Sequence, residues 1–276
     1  MRVKAIALAL ALWAVGAAVA AAQVPYVPAE FLSGHRRLQG NSITFCVYED
    51  SPTYAFDRAV AEELAMALLL EPNFFEVKPP PFRLAQEDYV EELYVLLMDH
   101  CDAMVGFSLA TDTYPDWLVL TRPYYWTPYV LAVTDPDYRQ LSDIPRDKAI
   151  GTRLLTLVDV EFINFMSTLP KEQRWRRFPY VSDALLVQRL LDGTIAGALM
   201  WAPALYRETG GNPEALGIRV ISTSPLRTIE RPVGLAVRSS DAFLRAMLDE
   251  AIAALTQDGI IDELLERTGT LGRPDR

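Results

Sequence analysis

The chain has 276 residues, 51% of them hydrophobic and 22% charged, with 26 Lys and Arg against 36 Asp and Glu, a net charge of −10. That is a globular composition, which excludes disorder, collagen and coiled coil, and the length suits one large domain or two of about a hundred residues each. So acidic a chain is a poor partner for nucleic acid or an anionic lipid surface, because phosphate binding needs clustered cations, and Arg174, Arg176 and Arg177 form one of its densest basic stretches.

Arg2 and Lys4 precede an unbroken apolar run from Ala5 to Ala22 that ends in three alanines. This is the pattern of a secretory signal peptide, residues 1–22, cleaved near Ala22/Gln23; a membrane anchor is the competing reading. No Cys follows the site, so a lipoprotein is not expected, and no later run is long and apolar. The mature protein is therefore expected to be exported, without stable membrane insertion after cleavage.

Residues 23–41 carry Pro and Gly with little periodicity and read as an arm. Ile43–Glu49 is a mostly apolar strand. Asp50-Ser51-Pro52-Thr53 is turn chemistry, and Phe56, Val60, Leu64 and Leu68 recur at helical spacing. Phe74–Val77 is a strand stopped by three prolines, Val90, Leu93 and Leu97 mark a helix, and Ala103–Phe107 is a third strand. The order β-α-β-α-β argues for a parallel sheet with helices on its faces. Trp117–Leu120 and Tyr129–Val133 are further strands, separated by the aromatic segment Thr121–Pro128. A second alternating stretch follows: strand Lys148–Gly151, helix Val158–Thr168, strand Trp175–Tyr180, a helix to Leu191 capped by Ser182, strand Ile195–Trp201, helix Ala202–Glu208 and strand Ile218–Ser222. Pro232–Val237 is a last strand, and two helices between Asp241 and Leu265 part near Asp258-Gly259.

Two α/β units result, the second inserted into the first: residues 42–133 with 232–276 form one lobe and 134–231 the other, with two hinge crossings and a cleft between. Cys46 and Cys101 are an even pair in an exported chain. They predict one disulfide if their strands are neighbours, and two buried thiols if not. His100-Cys101-Asp102 is a poor metal site, because adjacent residues point different ways and the only other histidine, His35, lies in a loop-like segment. No metal or cofactor is expected.

Phe56-Asp57 opening the first helix, Cys101-Asp-Ala-Met-Val-Gly106, Thr121-Arg-Pro-Tyr-Tyr125, the return strand Pro232–Val237 and the C-terminal helices with their Gly together resemble the periplasmic solute-binding proteins of the polar amino-acid type, solute-binding protein family 3. The resemblance implies the two-lobed periplasmic binding protein fold (type II), α/β, each lobe a sheet flanked by helices. Cys46, Cys101-Asp102, Thr121-Arg-Pro-Tyr-Tyr-x-x-x-Tyr-Val130 and Trp201-Ala-Pro203 with Tyr206 are similar to one branch of it. That branch, MoxJ- and XoxJ-like, accompanies periplasmic quinoprotein (PQQ-dependent) methanol dehydrogenases and is encoded with the dehydrogenase and its cytochrome c. The resemblance implies a non-catalytic accessory role in maturing or activating such an alcohol dehydrogenase by protein contact. The alternatives are the substrate-binding component of an ABC importer for a small solute and a receptor-fold enzyme such as a dehydratase.

The departures bear on the ligand. Amino-acid receptors hold the ligand carboxylate with the Arg of a Thr-x-x-Arg turn; counting from Thr111, Tyr114 stands there, and a phenol brings no charge. Trp201 stands where an Asp often meets the ligand amine, and Ala196 where Gly-x-x-Asp has its Asp, counting from Gly193. A small zwitterion is therefore a poor ligand, unless Arg122 or Arg153 replaces the lost anchor.

Tyr125, Trp126 and Tyr129 of the aromatic segment are candidates for a cleft wall or partner surface, since such rings bury large area and keep a polar handle; Tyr124 reads as structural. Trp201 with Tyr206 below it, and Arg153 after a strand end, are candidates in the second unit. Tyr54, Phe56, Ser108 and Tyr114 join them in the first. Arg122 is expected to pair with Asp57 or Asp116. Catalysis has little support: there is no nucleophile motif, and Glu49 and Asp50 are the carboxylates to test.

Overall fold

The computed structural model describes residues 40–78, 86–109, 114–154, 156–227 and 229–276. The predicted signal peptide, His35, most of the arm and Thr111 lie outside the described residues. The chain begins with β1 (Ser42–Tyr48), α1 (Tyr54–Ala67), β2 (Glu71–Val77), α2 (Gln86–Val95) extended by a π-helical turn at Leu96–His100, β3 (Ala103–Ser108) and β4 (Leu118–Leu120). It continues through β5 (Tyr125–Val133), β6 (Ala149–Arg153), α3 (Leu157–Ser167), β7 (Arg176–Tyr180), α4 (Asp183–Leu191), β8 (Gly197–Trp201), α5 (Ala202–Glu208) and β9 (Arg219–Ile221). It closes with β10 (Glu230–Arg238), α6 (Ala242–Gln257), α7 (Ile260–Thr268) and the two-residue β11 (Arg273–Pro274).

The strands follow one path, β2-β1-β3-β10-β5-β8-β6-β7. β1 lies parallel between β2 and β3, and as an inner strand covered on both faces it is apolar along most of its length. β10 returns antiparallel beside β3 and then β5. β5 is where the path changes partner: Tyr125–Pro128 pair with β10, and Tyr129–Ala132 pair with β8. The second half of the aromatic segment read as a link between two strands, Tyr125–Pro128, is thus the first half of one strand. Pro128 sits where β5 leaves β10 for β8, so one missing N–H is tolerated. Tyr125, Thr127, Tyr129 and Leu131 alternate as the buried face.

Both parts of the sheet are covered on both faces. In the first, Phe56, Val60 and Leu64 of α1 and Leu248 and Ile252 of α6 pack with Ile43, Phe45 and Leu235. On the other face Leu93 and Leu97 pack with Met104 and Phe107 around the cysteines. In the second part, Phe162 and Trp175 cover Leu131 and Leu199, while Leu186, Leu190 and Leu205 cover Ala198 and Met200. The chain passes between these cores along β5 and again on its way into β10. Cys46 and Cys101 are bonded, with Cα atoms 5.6 Å apart, because β1 and β3 are neighbours with Cys46 opposite Met104.

Candidate functional site

On β10 the residues Arg231, Val233, Leu235 and Val237 share one face. The last three enter the first core; Arg231 lies just beyond it, opposite Thr127 of β5. Its guanidinium stands 4.9 Å from the centre of the Trp201 ring. Trp201 ends β8 opposite Tyr129, and its Nε1 donates to Thr127 Oγ1 at 3.1 Å. The Arg231 charge acts on Tyr129, Asp57 and Tyr125. The Arg231 Nε is buried and meets no acceptor among the described residues.

Beneath Arg231 lies Asp57, in the first turn of α1 and 1% exposed. It accepts from Thr53 Oγ1 at 2.6 Å and from Tyr124 Oη at 2.5 Å, and Tyr124 Oη in turn accepts the Gly106 N–H at 3.0 Å. Burial pushes the Asp57 carboxyl up to about 6; the Thr53 and Tyr124 hydrogen bonds and the Arg231 charge oppose it. Burial likewise raises the Tyr124 phenol, which stays a donor at neutral pH.

The folded chain therefore holds this proton more tightly than the unfolded chain. The contribution of Asp57 to stability is largest below about pH 4 and is lost as pH rises to about 6, by on the order of 3 kcal/mol. Urea unfolding between pH 4 and 7 is expected to show that slope in the parent and to lose it in Asp57→Asn. An unchanged slope in the variant would assign the titration to another group.

The opposite wall comes from the second core. Ser182 caps α4 by accepting the Leu185 N–H, which places Asp183 at the first turn. Arg153, at the end of β6, faces it with Nε 3.8 Å from Asp183 Oδ2. Burial raises the Asp183 carboxyl, and Arg153 and Arg207 oppose the shift. The strand end is fixed by a buried network: Thr152 donates to Asp159, which also takes a two-bond grip from Arg177 at 2.6 and 2.7 Å. From α5, Arg207 holds Glu208 and donates through Nη1 to the Asp50 carbonyl in the turn after β1. Asp50, Asp57, Arg231, Tyr129, Asp183 and Arg207 thus outline one region where the two cores meet. It offers hydrogen-bonding groups and charge of both signs.

The sequence-selected residues fall in several places. Trp201 and Arg153 border this region. Phe56 and Tyr125 are fully buried and in edge contact, 4.7 Å between ring centres, so they support the site from below and are not available to a ligand or partner. Tyr54 is turned aside, donating to Glu76 at 2.6 Å and accepting from Arg58. Tyr114 donates to the Ser108 carbonyl at 3.2 Å. Trp126 lies on the other face of β5, where its Nε1 donates to Asp275 at 2.8 Å under the C-terminal tail. Tyr206 packs half-buried against the second core. Arg122 pairs with Asp275 at 3.4 Å, not with Asp57 or Asp116, because the tail returns along β5. His100 stacks on Phe75, 4.3 Å between ring centres, and Cys101 is in the disulfide. Among the described residues no cluster of His, Cys, Asp or Glu could hold a metal, and no helix is long and apolar enough to cross a membrane.

Arg231, Asp183 and Arg207 were not selected from sequence; Tyr129 was, as part of the aromatic segment. A signal is available at Arg231, which with Glu230 forms a charged pair abutting Pro232 and the apolar run Val233–Val237.

No family model matches the chain, and no curated protein does. Solved structures do. An amino-acid ABC transporter substrate-binding protein of Streptococcus pneumoniae bound to L-arginine is 16% identical, with 82% of this chain and 94% of that one covered at a TM-score of 0.59. A mutant arginine-binding protein of T. maritima is 18% identical, covering 82% and 94% at 0.56. The ancestral amino-acid-binding protein AncCDT-1, a precursor of cyclohexadienyl dehydratase, is 16% identical, covering 82% and 95% at 0.59. The chain has the fold these proteins share, the two-lobed periplasmic binding protein fold.

Proposed function

We propose that the protein is the extracytoplasmic substrate-binding component of an importer, holding a small solute where Arg231, Trp201 and Tyr129 meet. The observation that carries this reading is the buried Arg231 Nε with no acceptor among the described residues, set against an indole and a phenol between two cores. Buried donors are normally paired, and a site that is paired only when filled is what a receptor needs. The fold supports the reading, since the proteins compared above are described as amino-acid-binding. The role is binding rather than catalysis: Asp57 is sealed under Arg231 by Thr53 and Tyr124.

A titration of intrinsic fluorescence tests it, because Trp201 would border the solute. With a panel of carboxylates, amides, amines, sugars and amino acids, at least one class is expected to give a saturable change that Trp201→Phe diminishes. No response to any class would remove the importer reading.

A second reading has its own support: an accessory to a periplasmic quinoprotein methanol dehydrogenase, acting by contact. The groups standing where amino-acid receptors carry their anchors are turned inward, Tyr114 to the Ser108 carbonyl and Trp201 Nε1 to Thr127. Recovery of a quinoprotein dehydrogenase on the exported protein used as bait, with no solute response, would favour it.

A further inference from the structure

We propose that Arg231 is the anchor of a carboxylate, and that the solute is a small monocarboxylate with an aromatic or apolar body and no α-ammonium group. The inference rests on the receptor reading above and names its ligand class.

Arg231 presents a donor that the described residues do not satisfy: Nε is buried and has no acceptor among them, and the charge acts on the nearby Tyr129 phenol. Asp57 is close enough to act on by charge, but its oxygens already accept from Thr53 and Tyr124. The edge of a guanidinium that carries Nε is the one that meets a carboxylate through two parallel bonds. With Asp57 offsetting part of its charge, one arginine suits a monoanion held through the guanidinium fork, and a phosphate dianion needs more charge and donors than this.

The rest of the ligand follows from the walls. The Trp201 ring lies against the guanidinium and Tyr129 is opposite it on β5, so an apolar or planar body has aromatic surface to cover. An ammonium group is less well served. Of the two shifted carboxylates bordering the region, Asp57 is held by two hydroxyls and Asp183 faces Arg153. The carboxylate anchor has thus moved from the turn that ends at Tyr114 to the return strand β10.

Isothermal titration of the exported chain with four matched probes tests this: 3-phenylpropionate, its amide, phenethylamine and L-phenylalanine. The acid is expected to bind about tenfold or more tighter than the amide and the amine, since it alone completes the Arg231 fork without an added ammonium. Arg231→Gln is expected to weaken the acid by about tenfold or more and leave the amide unchanged, and Arg231→Lys to fall between, keeping charge but losing the fork. Equal affinity for acid and amide, preference for the amine or amino acid, or an unchanged acid affinity in Arg231→Gln would overturn the anchor while leaving the receptor reading standing. If none of the four binds, the proposal falls, and the wider fluorescence panel decides the receptor reading separately. If Arg231→Gln does not fold, the acid-to-amide ratio of the parent decides alone.

Discussion

Replacing Cys46 and Cys101 together by alanine is expected to lower folding stability by about 4 kcal/mol, the chain-entropy value for closing a loop of their 55-residue separation. The loop holds α1, β2 and α2, so the bond ties the first two strand-and-helix units to the start of β3. Both cysteines are fully buried, between Leu93, Leu97 and Met104. Two alanines therefore also remove packed sulfur, which adds to the loss. Urea unfolding of the double variant beside the parent measures it. Because the bond is buried, reductant reaches it only through opening of the fold, and reduction under native conditions is expected to be slow. A double variant within about 1 kcal/mol of the parent would mean that strand pairing alone sets the stability of this unit.

Gly106→Ala is expected to cost about 3 kcal/mol or more and to weaken ligand binding with it. Gly106 lies in β3 with φ +75°, a conformation that L side chains rarely adopt. A Cβ there would sit 2.6 Å from Asp57 Oδ2 and 3.1 Å from its Cγ. The carboxylate has no room to yield, since Thr53 and Tyr124 hold it, and displacing it strands two buried hydroxyls and moves the counter-charge of Arg231. The two sites are coupled, so their costs are not expected to add. In Gly106→Ala with Asp57→Ala the clash is gone, and the double variant should lose less than the sum of the singles. Strict additivity would show that the cost at residue 106 comes from the backbone alone.

Most of the fold was legible because its elements carry plain periodicities. Phe56, Val60 and Leu64 announce α1 at helical spacing, Ile43–Glu49 reads as a mostly apolar strand, and Ser182 caps the helix it precedes. β5 was read only from Tyr129 on, because its first half alternates buried Tyr125 and Thr127 with Trp126 and Pro128 and carries no continuous apolar run. What hid the site is sequence distance. Asp57, Tyr129, Asp183, Arg207 and Arg231 come from five separate elements, and only the pairing of β5 with β10 and β8 brings them together. The aromatic candidates divided by a property that composition does not carry, the face of the strand or helix. Tyr125 turns into the first core, while Trp126, one residue on, turns to the C-terminal tail. Arg122 likewise found its acid in Asp275, at a separation no local pattern reports.

The central claim, that this chain holds a small molecule between its two cores, is tested most directly by native mass spectrometry of the protein purified from the cells that export it, without dialysis. The expected result is a bound mass that leaves on acid denaturation and is much reduced in Arg231→Gln purified in the same way. A protein that carries no small molecule under any growth condition, but travels in fixed ratio with a quinoprotein dehydrogenase, would contradict it.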